Sequence, residues 1–467
     1  MKEQDQKRFE ALLGWSQQHG AKIHAAVEIY DDDTTKFSLR VKPSATDVLK
    51  PGSSAVTCPV STTLSYLNAL IDGPLLSEGG FTADSPNTPA FPPQFMTTLP
   101  PHVIGRFFLI KEYLRGKTSF WYPYTATLPQ PEHISSWSLP AFWPEDDIEF
   151  LEGTNAYVAI QEIQANVKSE YKQARKALKE ADFEGWQDYT QMLYKWAFSI
   201  FTSRSFRPSL ILSPANKEPI SRLLPAGCEL DDFSILQPLF DIGNHKMTAK
   251  YTWDVTSNPT CCQLICGDEY GPGEQVFNNY GLKSNSELLL GYGFILPETE
   301  HLHNDYVHVR KRQQQLPERD SSDKPKDFLI SLRPISHPSS VAGLARLLAR
   351  EDIRVNTLPG LSNFEPALIR DLASMVASPE EKVLFKHWLS SETEGIPAGL
   401  EEFLEKIRGT LGGKLQFDYQ RLKSVQQDEE TGEERIREAT NRNQELALEY
   451  RRQYEKVLIA GLEALSE

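Results

Sequence analysis

Pro238-Leu239-Phe240-Asp241-Ile242-Gly243-Asn244-His245, followed about thirty residues later by Gly273-Glu274-Gln275-Val276-Phe277-Asn278-Asn279-Tyr280-Gly281, is the part of the chain whose reading decides its fold. The second stretch runs on through Ser284-Asn285-Ser286-Glu287-Leu288 to Tyr292-Gly293-Phe294. Taken singly, an Asn-His pair reads as a turn with a satisfied histidine, and a Tyr-Gly after a strand reads as core plus turn. The two stretches gain meaning from their spacing and from the pattern around them.

On both sides the periodicity predicts a mixed architecture. Phe9, Leu12, Leu13 and Trp15 recur at helical intervals over 7–19 and stop at Gly20. Phe37-Ser38-Leu39-Arg40-Val41 alternates as a half-buried strand does. Residues 72–101 are rich in Pro and Gly and read as a loop. Helices are expected over 103–115, 155–180 and about 185–202, the second carrying Ile160, Ile163, Val167, Tyr171, Ala174 and Leu178 as one apolar stripe. Strand signals return at Leu210-Ile211-Leu212, Gln263-Leu264-Ile265 and Gln275-Val276-Phe277. A polar stretch over 311–327 reads as a linker, and the remainder as helical, with a last helix over about 433–465.

The totals set bounds on partners. A chain of 467 residues, 40% hydrophobic, can bury a sizeable core and accommodate two or three domains. Its formal charge of −15 repels phosphate backbones, so the expected partner is a protein substrate, not nucleic acid. The first twenty residues hold no apolar signal region and no run reaches a membrane span, so a soluble cytoplasmic or nuclear monomer without membrane partner is expected. Cys58, Cys228, Cys261, Cys262 and Cys266 form no CxxC pair, so they read as buried free thiols and no metal site is expected. Asp31-Asp32-Asp33 reads as a solvated turn.

With the decisive stretches in view, the chain resembles the SET-domain protein methyltransferases. Asn244-His245 and Tyr280 match the two hallmark motifs. The string N-N-Y-G-L-K-S-N-S-E-L-x₃-Y-G-F over 278–294 is similar to the branch containing the Rubisco large-subunit and actin-histidine methyltransferases. Ser119-Phe120-Trp121-Tyr122-Pro123-Tyr124, Thr202-Ser203-Arg204-Ser205-Phe206, Asn304-Asp305-Tyr306-Val307 and the closing Ala447-Leu448-Glu449-Tyr450-Arg451 resemble further segments of that branch. The resemblance spans about residues 10 to 460.

The resemblance implies an α+β fold: a β-rich SET core over 20–300 with a knot-like crossing, a helical insert at about 101–202, and an all-helical substrate-binding domain over 320–467. It implies S-adenosyl-L-methionine as cofactor and transfer of its methyl to a lysine nitrogen of a non-histone protein, since the zinc-binding cysteines of histone-directed branches are missing. Tyr280 and Tyr292 are the expected catalytic-channel residues. Phe37, Arg204, Asp241, Asn244, His245, Tyr280 and Phe294 are the expected cofactor contacts. The residue types suit these roles. Asn244 offers donor and acceptor to a zwitterion, and Arg204 offers a fork to its carboxylate. A tyrosine hydroxyl, ionising near pH ~10, orients the attacking amine without serving as base. A histidine target, or an inactive SET-like binding module, are the alternatives. Tyr292 weighs against the first. The second draws on one departure: the glycine-bearing turn of the family, E-G-F-G-L-R, reads Thr35-Lys36-Phe37-Ser38-Leu39-Arg40 here, with both glycines replaced.

Overall fold

The computed structural model describes residues 1–75, 88–136, 139–310, 327–345, 350–391, 395–425 and 438–466. The chain divides into two units, Met1–Ser138 with Gln164–Gly281, and Leu139–Ile163 with Leu282–Glu467. Helices and sheets are mixed, as expected, and among the described residues no helix is long and apolar enough to cross a membrane.

The first unit holds short antiparallel sheets. One has the order Lys22–Ile23, Ser54–Pro59, Cys261–Cys266, Tyr251–Asp254; another has the order Gln275–Val276, Lys36–Val41, Val27–Asp32; a third joins Leu64–Ser65, Ile235–Leu236 and Ser205–Phe206. The strands expected at 37–41 and 263–265 thus exist, and the one expected at 275–277 spans Gln275–Val276. Neighbouring strands come from distant parts of the chain, so the sheets bring the turn at 33–35 and the two decisive stretches into one body. Leu39, Val41, Val56, Leu264 and Val276 form their buried side. Helix Pro101–Arg115 packs close because a Cβ at Gly105 would stand 3.1 Å from the backbone nitrogen of Tyr66.

Two local expectations need correction. Leu210-Ile211-Leu212 is not a strand: Pro208–Ile211 is a single helical turn with Pro208 at its first position, where a fixed φ and a missing N–H are harmless. The helix expected from 185 starts at Gln191, because Gly185 at φ +71 and a 3₁₀ turn over Trp186–Asp188 interrupt the run, and Thr190 accepts the N–H of Leu193 as cap.

The second unit is organised by helices Glu401–Ser424 and Arg442–Leu465, with Leu415, Tyr450, Val457 and Leu458 in its core. Trp143, Leu151 and Ile160 belong to that core, although 139–163 was expected in the insert. The side chain of Asp147 explains part of this allegiance, accepting from Asn441 (2.8 Å), Asn443 (2.9 Å) and Gln444 (2.8 Å) at the start of the last helix. Nor is the C-terminal part all helical. Strand Asp327–Ser331 pairs antiparallel with Tyr306–Arg310, so the boundary falls after Gly281, not near 320. Residues 311–326 of the expected linker lie outside the described residues, and its last, Asp327, begins a strand. The last helix begins at Arg442, capped by Asn441, with Ile436 of the expected span also outside the described residues.

Candidate active site

In the first unit the two decisive stretches meet backbone to backbone. His245 and Asn278 form a parallel bridge; Asn278 N–H donates to the Asn244 carbonyl (2.7 Å) and Lys246 N–H to the Asn278 carbonyl (2.9 Å). The side chains lock the same junction. Tyr280 N–H donates to His245 Nδ1 (3.0 Å), which assigns the ring proton to Nε2. The two rings stack at 5.0 Å, and the Tyr280 hydroxyl donates to the Gly243 carbonyl (3.0 Å). His245 is therefore a strut that sets the backbone and ring of Tyr280. Asn279 completes the joint by donating to the carbonyls of Met247 (2.9 Å) and Ala249 (3.2 Å).

Arg204 ends helix Gln191–Arg204 beside this junction. Its Nη1 donates to the backbone carbonyl of Asp241 (3.1 Å) and lies 3.5 Å from Asp241 Oδ2. The Asp241 side chain is only 2% exposed, and its Oδ2 also accepts from the Tyr124 hydroxyl (3.0 Å). Burial lifts the Asp241 carboxyl above its usual range, while Arg204 and Tyr124 pull it back. Tyr124 itself is raised well above an ordinary phenol, by burial and by the Asp241 charge. The sequence named Asp241 and Arg204 as cofactor-side candidates, and Tyr124 only as part of the 119–124 segment that carries the resemblance. Its buried hydroxyl needed a partner, a signal the W-Y-P-Y cluster carries without naming the partner.

The turn at 33–36 adjoins Asn244, whose Nδ2 donates to Thr35 Oγ1 (2.7 Å). Asp32 Oδ1 braces Thr35 through its N–H and hydroxyl (both 2.8 Å) and accepts from Thr34 N–H (3.0 Å). Those bonds hold the Asp32 carboxyl below its usual range. Asp32 therefore has a definite turn-closing role beyond solvation. Lys36, at the first glycine position, adopts φ +65, the left-handed conformation that glycine takes freely. Ser38, at the second, is wholly buried, and its hydroxyl has no hydrogen-bond partner among the described residues. The Phe37 ring packs edge-on against Phe9, at 4.6 Å between centroids.

Tyr292 and Phe294 lie on the second unit. Helix Asn285–Tyr292 starts at a capping box of Ser284 and Glu287 and ends at Gly293, φ +74, which turns the chain so that the two rings stand 6.2 Å apart. Asn285 holds the far side of this turn through Leu296 N–H and carbonyl (both 2.8 Å) and donates to Asp305 (2.9 Å) and Gln453 (3.0 Å). Burial pushes the Asp305 carboxyl up to about 6, against the pull of the Asn285 hydrogen bond.

No family model matches the chain. Across 98% of this chain and 91% of the other, the fold superposes on the crystal structure of the SET domain of LSMT bound to MeLysine and AdoHcy, with a TM-score of 0.60 and 16% identity. The chain has the SET-domain fold. Among curated proteins, this chain is 32% identical over 293 residues to ribosomal lysine N-methyltransferase set10 of Schizosaccharomyces pombe, covering 62% of this chain and 46% of that protein. It is 24% identical over 290 residues to N-lysine methyltransferase SETD6 of Bos taurus, covering 62% and 57%. The chain thus spans about half the length of the curated relatives it matches.

Proposed function

We propose that this chain is an S-adenosylmethionine-dependent protein-lysine N-methyltransferase acting on a non-histone protein. The observation that carries the reading is the junction in which His245 fixes Tyr280 while Asn244 and Arg204 stand beside it. The residues fit the cofactor's amino-acid end. Only Nη1 of Arg204 makes a hydrogen bond among the described residues, which leaves the rest of its fork for a carboxylate. The Asn244 amide gives its donor to Thr35 and keeps its oxygen as an acceptor for an ammonium. When bound, the cofactor supplies an electrophilic methyl on a sulfonium.

The chain's own residues then have separable tasks. Arg204 and Asn244 bind and orient. Tyr280 spends its hydroxyl proton on the Gly243 carbonyl, so it meets an incoming amine as an acceptor and lines up the nitrogen's lone pair. Tyr292 and Phe294, on one capped turn, are the proposed channel and adenine-side residues. The parallel pairing of His245 with Asn278 supports a knot-like crossing of the two stretches. The second unit is the proposed reader of the protein substrate. Calorimetric titration with S-adenosylmethionine tests the reading: saturable binding by the wild type, weakened by Arg204→Ala, is expected, and an absence of binding overturns it.

A further inference from the structure

The Tyr124 hydroxyl has no place in the chemistry so far. It belongs to the aromatic Trp121-Tyr122-Pro123-Tyr124 run, far in sequence from both motifs, and its side chain is 1% exposed. A buried phenol is satisfied by any nearby carbonyl, yet this one donates to Asp241 Oδ2 at 3.0 Å, the same oxygen that faces Arg204 Nη1 at 3.5 Å. The other oxygen, Asp241 Oδ1, is buried with no partner among the described residues. One carboxylate oxygen therefore carries both contacts, and Tyr124 is the only neutral donor holding it among the described residues.

We propose that Tyr124 is a positioning residue for cofactor binding: its hydroxyl holds Asp241 as the oriented anion that anchors the Arg204 fork. This rests on the reading above, in which Arg204 receives the cofactor carboxylate. The groups that face Asp241 are Tyr124, Arg204 and, behind them, the Cys58 thiol, itself pushed up to about 12 by burial and so neutral. Burial favours the protonated carboxyl; Tyr124 and Arg204 favour the anion. Without the Tyr124 hydroxyl that balance moves toward protonation. A neutral Asp241 keeps only its backbone carbonyl on Arg204, and the fork loses one of its two restraints. Because protonation is the cause, the loss grows as pH falls.

The test is calorimetric titration of the full chain with S-adenosylmethionine from pH 6 to 8.5, for wild type, Tyr124→Phe, Asp241→Asn and the double variant. For Tyr124→Phe the dissociation constant is expected to weaken by up to about tenfold, with the loss larger at the acid end of that range than at the alkaline end. Asp241→Asn, which mimics the protonated state, is expected to be weak at every pH, and adding Tyr124→Phe to it to change nothing further. A Tyr124→Phe protein with the wild-type pH profile overturns the relay, as does a loss equal at all pH values, the mark of a merely structural residue. If Tyr124→Phe fails to fold, Asp241→Asn decides alone, and wild-type affinity in that variant overturns the relay. A wild type that does not bind S-adenosylmethionine overturns the functional reading itself, a different result from wild-type binding that is indifferent to Tyr124.

Discussion

Lys36→Gly is expected to stabilise the first unit, against the usual cost of adding a glycine. The hairpin Val27–Asp32 to Lys36–Val41 closes through three residues, Asp33 to Thr35, and the first residue of the return strand sits at φ +65. A left-handed residue where a hairpin turn rejoins its strand is a position that glycine takes without steric cost. An L-residue held left-handed costs about 1–2 kcal/mol. Glycine removes that strain but adds unfolded-chain entropy of about 0.4–1 kcal/mol. The Lys36 side chain is exposed, so little packing is lost. The strain term is larger, and the net gain is roughly 0.5–1 kcal/mol, or about 1–4 °C for a unit of this size. Urea and thermal unfolding followed by circular dichroism measure it. A destabilisation of the entropic size would mean that Lys36 is not held left-handed in solution and would refute the strain argument.

Three further outcomes follow from the geometry. Asn244→Ala removes both the Thr35 bond and the proposed ligand acceptor, so cofactor affinity should fall about ten- to hundredfold by calorimetry; unchanged affinity makes Asn244 a turn residue only. Tyr280→Phe should cut turnover sharply while leaving cofactor affinity nearly unchanged, because His245 grips the Tyr280 backbone and not its hydroxyl; wild-type turnover would remove the orienting role. Asp305→Asn should stabilise the second unit more at pH 7.5 than at pH 5. The folded carboxyl, lifted to about 6, resists ionisation, so its penalty grows as pH rises from near 4 through 6 and is complete above it, up to roughly 3 kcal/mol. Equal effects in urea titrations at the two pH values would contradict that linkage.

The meeting of the two stretches was legible because residue type and spacing survive in one dimension: Asn244, His245 and Tyr280 come together, and Arg204 and Asp241 stand side by side. What sequence did not show is which surface an apolar stripe covers. The helix Asn155–Glu180 is one continuous stripe, yet its residues through Ile163 belong to the second unit and the rest to the first. The linker reading at 311–327 gave no hint that Asp327–Ser331 returns to pair with Tyr306–Arg310, since strand pairing is a tertiary event. A cut near residue 310 would remove the strand that pairs with Tyr306–Arg310. Leu289 and Val307 share a core with Tyr450 and Leu458, so such a truncation also strips the segment bearing Tyr292 and Phe294 of its support.

The most direct test of the central claim is to incubate the chain with a cell lysate and methyl-labelled S-adenosylmethionine, hydrolyse the labelled proteins, and identify the amino acid that carries the label. Methylated lysine is expected with wild-type protein, and its near absence with Tyr280→Phe. Label on histidine, or no label above the Tyr280→Phe background, would contradict that claim.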